Sequence, residues 1–359
     1  MNNYKVCVYA ITKNEERFVN RWYESMKEAD KIVVLDTGSD DNTVSILKDL
    51  GVEVHVKKID PWRFDVARNE SLNLVPGDYD ICVCTDLDEV FEVGWKDKLL
   101  SVWNDDVTRV RYTYNWSFDE YGKPATTFLL NKIHKRDAYK WMHPVHEVLT
   151  PLKEEKEVMC KDMILNHYPD KTKSRSSYLP LLELSVKEDP SDDRNMHYLG
   201  REYMYYLRWE DCIKTLKKHL SLEKATWRDE RAASMRFIAR SYRALKKDGE
   251  AINWYLKAIE EAPYLREAYV ELAYLYYEEG NYQNAYIYLK KALDIKDKSN
   301  SYINEEFAWN GFIYDLLSIC SYNLEYYEEA VEYVKFALEL DKNNLRLQIN
   351  LEEMEKLIN

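Results

Sequence analysis

The sequence has 359 residues, 46% of them hydrophobic and 32% charged, which suits about two ordinary domains and excludes global disorder. Nine Gly and nine Pro exclude a collagen-like or linker-rich chain, and a formal charge of −13 without a long basic run argues against a nucleic-acid binder. The opening MNNYKVCVYAITKNEERF has no apolar signal-like core, and no stretch reaches the ~18 apolar residues of a membrane span, so a cytoplasmic protein with no membrane span is expected. Six cysteines (Cys7, Cys82, Cys84, Cys160, Cys212, Cys320) are scattered without a CxxC pair. Buried reduced thiols are the expectation, with disulfides or a zinc site as the alternatives.

Residues 4–86 alternate short apolar runs with helical patterns. Tyr4–Ile11 reads as a strand and Glu16–Met26 as an amphipathic helix. Lys31–Asp36 is a second strand, followed by a helix over about 41–50. Val52–Val56 is a third strand, 65–74 a helix and Tyr79–Asp86 a fourth strand. Strands joined by helices of this length imply right-handed crossovers and a largely parallel sheet, whose ligands bind beyond the carboxyl ends of the strands. From 107 to 167 the pattern is mixed, with added strands over Val107–Asn115, Thr127–Ile133 and Val158–Asn166.

From about Arg194 the texture changes to helix pairs. Small or short residues recur at Cys212, Ala251, Ala285 and Ala330, at intervals of 39, 34 and 45 residues, and again seven positions later at His219, Ala258, Ala292 and Ala337. The 34-residue interval is the tetratricopeptide period, and the others equal it with insertions of 5 and 11. Four repeats are expected, with LQINLEEMEKLIN as a capping helix. Such arrays present a groove for an extended peptide or a partner helix. Tyr205, Tyr206, Trp209, Trp254, Tyr276 and Tyr277 are candidates to line it or to pack between helices.

Two acidic turns end predicted strands. In VVLDTGSDDNT an apolar strand runs into Asp36, a Gly turn and a string of helix-capping residues, which can set a carboxylate and helix-start N–H groups against a ligand. In TDLDE, Asp86 and Asp88 alternate, so both can face one pocket and offer hard oxygens to Mg²⁺ or Mn²⁺. Each turn alone is also ordinary loop chemistry.

Taken together in order, the opening strand with Thr12-Lys13-Asn14-Glu15-Glu16, Asp36-Thr37-Gly38-Ser39, Phe64-Asp65-Val66-Ala67-Arg68-Asn69 and Asp86-Leu87-Asp88-Glu89 resemble a family 2 glycosyltransferase of the GT-A fold. Val145-His146-Glu147 and Ile164-Leu165-Asn166-His167-Tyr168 resemble the subgroup in which that domain precedes tetratricopeptide repeats, which includes S-glycosyltransferases of bacteriocin peptides. The resemblance implies an α/β GT-A domain, Rossmann-like with a mostly parallel sheet, over 1–170. A linker or basic lid and first helix over 171–193 and an all-α tetratricopeptide-repeat domain over 194–359 follow.

It also implies roles. Asp36 would contact the uracil or ribose of a UDP-sugar, with Asn14 and Glu16 shaping the base pocket, and Arg68 would reach the nucleotide or diphosphate. Asp86 would bind ribose or a water-bridged metal, and Asp88 would ligate Mn²⁺ or Mg²⁺ directly. A late histidine, His146 or His167, would complete the metal shell. From the residues themselves, Lys173 and Arg175 of Lys171-Thr172-Lys173-Ser174-Arg175 are candidates for a basic lid over the diphosphate, with a solvated linker as the alternative. Many inverting members carry a Glu-Asp pair before a helix near the acceptor; this chain has none in that place, so Glu147 is the candidate base. A thiol acceptor would need less base assistance.

The implied activity is a metal-dependent, inverting transfer to a peptide, protein or glycan acceptor, with a homodimer through the repeats as a further possibility. The alternatives are a non-catalytic repeat adaptor with a vestigial nucleotide-binding domain, and a nucleotidyltransferase. The latter usually needs a Gly- and basic-rich phosphate loop, which Ala10-Ile11-Thr12-Lys13-Asn14 is not.

Overall fold

The structure, a computed structural model, describes residues 4–119, 121–170, 177–299 and 301–358. The chain divides into two compact units, Met1–Glu188 and Asp189–Asn359.

In the first unit, strand and helix alternate as the periodicity predicts: β1 (Val6–Thr12), α1 (Glu16–Met26), β2 (Lys31–Asp36), α2 (Thr43–Asp49), β3 (Glu53–Val56), α3 (Phe64–Asn73) and β4 (Ile81–Cys84). There follow β5 (Glu89–Phe91), α4 (Trp95–Val102), β6 (Arg109–Phe118), β7 (Pro124–Lys135), β8 (Tyr139–Met142), β9 (Val148–Pro151), β10 (Glu157–His167) and α5 (Tyr178–Glu188). An eight-stranded sheet has the order β3-β2-β1-β4-β7-β6-β10-β5, while β8 and β9 form a separate hairpin. Strands β3, β2, β1 and β4 pair in parallel, as do β6 and β10, and β7 and β5 run antiparallel to their neighbours.

Strand β1 shows why its sequence is continuously apolar. Val6, Val8 and Ala10 pack on Val19, Trp22 and Met26 of α1, whereas Cys7 and Tyr9 face Cys82, Cys84 and Trp141 on the other side. A strand covered on both faces has no polar alternation to keep. Its parallel register sets Thr12 beside Asp36, so the loops after β1 and β2 meet at one edge. All six cysteines are buried free thiols, as the reduced-thiol reading expected.

The second unit is built of antiparallel helix pairs: α6 (Asp193–Tyr205) with α7 (Trp209–Leu220), and α8 (Arg228–Ala244) with α9 (Asp248–Glu261). α10 (Glu267–Glu278) pairs with α11 (Tyr282–Asp294), α12 (Phe312–Asn323) with α13 (Tyr327–Leu340), and α14 (Leu345–Glu355) packs on α13. Cys212, Ala251, Ala285 and Ala330 all have 0% exposure, as do His219, Ala258 and Ala292, with Ala337 at 1%. The aligned small positions are therefore the helix-to-helix contacts that the repeat requires. Gly200 of α6 makes a closer one: a Cβ there would stand 2.2 Å from Cδ2 of Leu216 on α7. Of the six aromatic groove candidates, Trp209, Trp254, Tyr276 and Tyr277 pack against the interhelical clusters, while Tyr205 and Tyr206 are exposed.

Candidate active site

The loop after β2 is held by its own carboxylate. Asp36 accepts hydrogen bonds from the N–H groups of Gly38 and Ser39, each at 2.9 Å, and from the Ser39 hydroxyl. Gly38 takes φ 108°, with nothing near its missing Cβ, so the turn needs glycine for its backbone alone. Asn14 and Glu16 hold the same loop from the β1 side. Asn14 Oδ1 accepts from the Asp40 N–H at 2.9 Å, and Glu16 Oε2 accepts from the Asn42 N–H at 3.0 Å and its side-chain amide at 2.9 Å. The three expected nucleoside-pocket residues thus share one hydrogen-bonded cradle.

Beyond β4 lies a cluster of buried charge. Arg68, 3% exposed on α3, donates to Asp86 at 2.5 Å and to Glu147 at 2.9 Å. Lys132 of β7 reaches the other oxygen of Asp86 at 3.1 Å and Glu89 at 3.4 Å, and the Tyr114 hydroxyl donates to Glu89 at 2.8 Å. Burial works to raise the pKa of Asp86, but the charges of Arg68 and Lys132 outweigh it and hold the carboxyl well below the usual range. For Glu89 burial wins, and its carboxyl is raised. Burial alone would lower Lys132; Asp86 and Glu89 instead raise it, so it stays an ammonium.

Glu147 reaches this cluster because its loop is clamped to α3. Asn69 exchanges two hydrogen bonds with the Trp141 backbone, at 2.9 and 3.0 Å, and the Phe64 N–H donates to Pro144 at 2.9 Å. Trp141 is in turn tied to Tyr9 at 2.8 Å, and Tyr9 to His134 at 2.9 Å. His134 is therefore part of the core beneath the site.

Asp88 meets His167. Nε2 of His167 lies 3.4 Å from Asp88 Oδ2, with the two side chains 9% and 17% exposed. Nδ1 stands 3.0 Å from the Trp116 carbonyl, which can only accept, so Nδ1 carries the proton and Nε2 of the neutral ring presents a lone pair to the carboxylate. Two electron-pair donors facing each other need a cation between them. A proton on Nε2 supplies it: burial lowers the His167 pKa, but its hydrogen bond to Asp88 and that charge overcome burial and raise it above the ordinary imidazole value. Asp88 and His167 are also the side chains here that could hold a divalent ion.

Among the described residues no group of three or more His, Cys, Asp and Glu is arranged to hold an ion. One or two carboxylates plus donor phosphates and water is the usual shell of Mg²⁺, in which Asp88 would be the carboxylate. His146, the other histidine candidate, stacks on Tyr178 with ring centres 5.7 Å apart. Lys173 and Arg175 lie outside the described residues.

Lys132, Glu89 with Tyr114, and Trp116 were not anticipated. Lys132 is set by the β4–β7 register, Val83 opposite Ile133, which carries it alongside the end of β4. Glu89 belonged to the TDLDE motif, but its tyrosine partner sits on β6, 25 residues away.

The comparisons agree with this layout. Residues 7–153 match the sequence model of glycosyl transferase family 2, and residues 237–264 and 267–299 match the tetratricopeptide repeat. An uncharacterized glycosyltransferase of Rickettsia typhi is 44% identical over 59 residues, which is 16% of this chain and 19% of the relative. The chain thus spans about a fifth of the length of that curated relative. Among solved structures, MamA has a TM-score of 0.38 at 22% identity, covering 49% of this chain and 96% of MamA. The Pseudomonas aeruginosa pilF structure has a TM-score of 0.39 at 15% identity, covering 49% of this chain and 72% of its own. No helix among the described residues is long and apolar enough to cross a membrane. The family match runs from β1 to β9 and includes Arg68, Asp86, Lys132 and Glu147, and the repeat match covers the end of α8 with α9, α10 and α11, so the chain carries a domain that matches glycosyl transferase family 2 followed by tetratricopeptide repeats.

Proposed function

We propose that the protein is a metal-dependent, inverting glycosyltransferase that moves a sugar from a UDP-sugar to a nucleophile on a peptide or protein side chain. The observation that carries this reading is the Asp88–His167 pair, two cation-seeking donors 3.4 Å apart in the unit that also holds Arg68, Asp86 and Glu147.

In this reading the Asp36, Asn14 and Glu16 cradle orients the nucleoside. Arg68 and Lys132 supply positive charge to the diphosphate, which competes with Asp86 for them. Asp88 and His167 would hold Mn²⁺ or Mg²⁺, which when bound offsets charge on the departing nucleoside diphosphate. Glu147 takes the acceptor proton as the nucleophile forms its bond to C1 and the C1–oxygen bond to the diphosphate breaks. One displacement of this kind inverts the anomeric centre. The repeats recruit the acceptor or a second copy of the chain.

The test is incubation of the full chain with a panel of nucleotide sugars and Mn²⁺. Release of nucleoside diphosphate supports sugar transfer. Monophosphate or pyrophosphate would instead indicate nucleotidyl chemistry, and inertness across the panel would favour a non-catalytic adaptor.

A further inference from the structure

The interval from Ala285 to Ala330 exceeds the repeat length by 11 residues, and the extra chain does not loop away from the helices. Between α11 and α12 it folds back across α6, α8 and α10, the first helices of the three preceding pairs. Tyr302 donates to Glu230 of α8 at 2.6 Å, and its ring lies 5.4 Å from that of Trp227 and 6.1 Å from that of Tyr198 on α6. Ile303, 5% exposed, enters an apolar cluster with Met204, Cys212, Leu216 and Phe237. Glu305 accepts from Arg236 at 2.9 Å and Arg240 at 2.8 Å, and its own N–H donates to Glu267 of α10 at 3.1 Å.

The helices are built for an occupant here. Arg236 and Arg240 stand one turn apart on α8, so two guanidinium charges are held side by side, the first 2% exposed and the second 27%. Glu271 of α10 bonds to both, at 2.7 Å each, and Glu305 brings the second carboxylate. Helix α8 is consequently buried around most of its circumference, whereas stacked helix pairs ordinarily leave the shared face of their first helices open to extended ligands.

The covering segment has the character of a docked peptide. Ser301–Glu305 contains no helix or strand, and Glu305 keeps 34% of its side chain exposed. The anchoring is separate and follows it: Ala308 is fully buried, and the Trp309 indole N–H donates to Glu267 at 3.2 Å.

We propose that Ser301–Glu305 is an intramolecular occupant of a peptide-binding face, and that an extended peptide presenting Tyr, an aliphatic residue, any residue and then a carboxylate at the Glu305 position can take its place. The tether gives the built-in segment an effective concentration of order millimolar, so the face is closed to weak competitors until the segment is loosened.

The test uses the full chain and a fluorescent SYINEEF peptide, read by anisotropy, and depends on no transfer activity. The Tyr302→Ala/Glu305→Gln variant should bind the peptide at least ~10-fold more tightly than the unaltered protein, because its own segment has lost two anchoring groups. A peptide with Gln at the position matching Glu305 should bind that variant ~10-fold more weakly, having no charge for Arg236 and Arg240. Equal binding by variant and unaltered protein, with cooperative melting retained, overturns the proposal. Glu305→Gln alone is the milder second variant. If both variants lose cooperative melting, the segment is fixed core and the proposal is equally overturned.

Discussion

Lys132 Nζ lies 3.1 Å from Asp86, on the carboxylate oxygen that Arg68 leaves to it. The two cations divide one acid between them, and Lys132 also offsets the repulsion between Asp86 and Glu89. Its side chain is only 19% exposed, so water does little of that work.

Replacing Lys132 with Met should therefore destabilise the first unit by about 3 kcal/mol, the lower end of the cost of removing one partner from a buried ion pair. Adding Glu89→Gln should recover part of the loss, because Glu89 is the acid left without a cation while Asp86 keeps Arg68. Urea unfolding of the single and double variants checks this. A single variant as stable as the parent would mean that solvent already compensates the acids.

Asp88→Ala and His167→Ala should each weaken Mn²⁺ binding in the presence of UDP by at least ~10-fold, since each removes half of the protein's contribution to the cation. Calorimetric titration reads this without any acceptor. The Asp88 variant should melt close to the parent, whereas His167→Ala also loses the stack on Trp116 and the bond to its carbonyl and should melt lower. Unchanged Mn²⁺ affinity in both variants would place the ion elsewhere or remove it from the chemistry.

Glu147→Gln should retain donor binding and lose ~10²-fold or more in transfer to a hydroxyl acceptor, the scale of a missing general base. The amide oxygen can still accept from Arg68, which separates the proton-transfer role from the positioning one. With a thiol acceptor the loss should be smaller, as part of the thiol is already ionised near neutral pH. Parent-like rates with both acceptors would move the base to another residue.

Much of the first unit was legible because β1, β2 and β4 are apolar runs that end in polar turns, and α1 keeps a clear apolar stripe of Val19, Trp22 and Met26. β5, α4, β8 and β9 were not anticipated: β5 has three residues and β8 and β9 four each, too few for a period to register. The paired acids were legible as motifs. Their cationic partners were only partly so, since Arg68 lies in a motif and Lys132 is assigned by strand pairing. The Asp88–His167 meeting depends on β10 returning beside β5, with His167 opposite Glu89, a contact across 78 positions of sequence that no local pattern encodes. In the repeats the 11-residue insertion was visible as a length, but its return across α8 rests on side chains spread over three helices.

Gly200→Ala tests the closest helix contact. The added methyl would meet both Cδ2 and Cγ of Leu216, at 2.2 and 2.4 Å, and Leu216 has 0% exposure. The gain in helix propensity, about 1 kcal/mol, is outweighed by overpacking of about 1–3 kcal/mol. The variant should melt lower than the parent, and Gly200→Ala/Leu216→Ala should not lose the two penalties additively, since the second change makes room for the first. A Gly200→Ala protein more stable than the parent would show that α6 and α7 shift apart at little cost.

Acid should weaken the second unit through His197. Burial is the main cause that lowers its pKa, to about 3; Glu230 pulls the other way, while Arg201, His219 and Arg236 add to the lowering. In the unfolded chain the same group titrates near its ordinary value of about 6.5. Between those values the unfolded state binds more protons than the folded one, so the contribution is complete above pH ~6.5 and is lost as pH falls toward 3. By pH 5 the loss should reach about 2 kcal/mol. Glu230, held down to about 2 against burial by His219, His197 and Tyr302, remains ionised in the folded state over that range, but the unfolded carboxyl protonates from about 4.5 downward, so its own loss adds to that of His197 below about pH 4.5. His134 in the first unit, lowered to about 4 by burial, adds a similar dependence there. The discriminating measurement is urea unfolding at pH 7, 6 and 5 for the parent and His197→Gln, which should show a shallower fall with acidity even if it starts from a lower stability. Parallel pH curves for the two proteins would mean that His197 is protonated, or solvated, in the folded state.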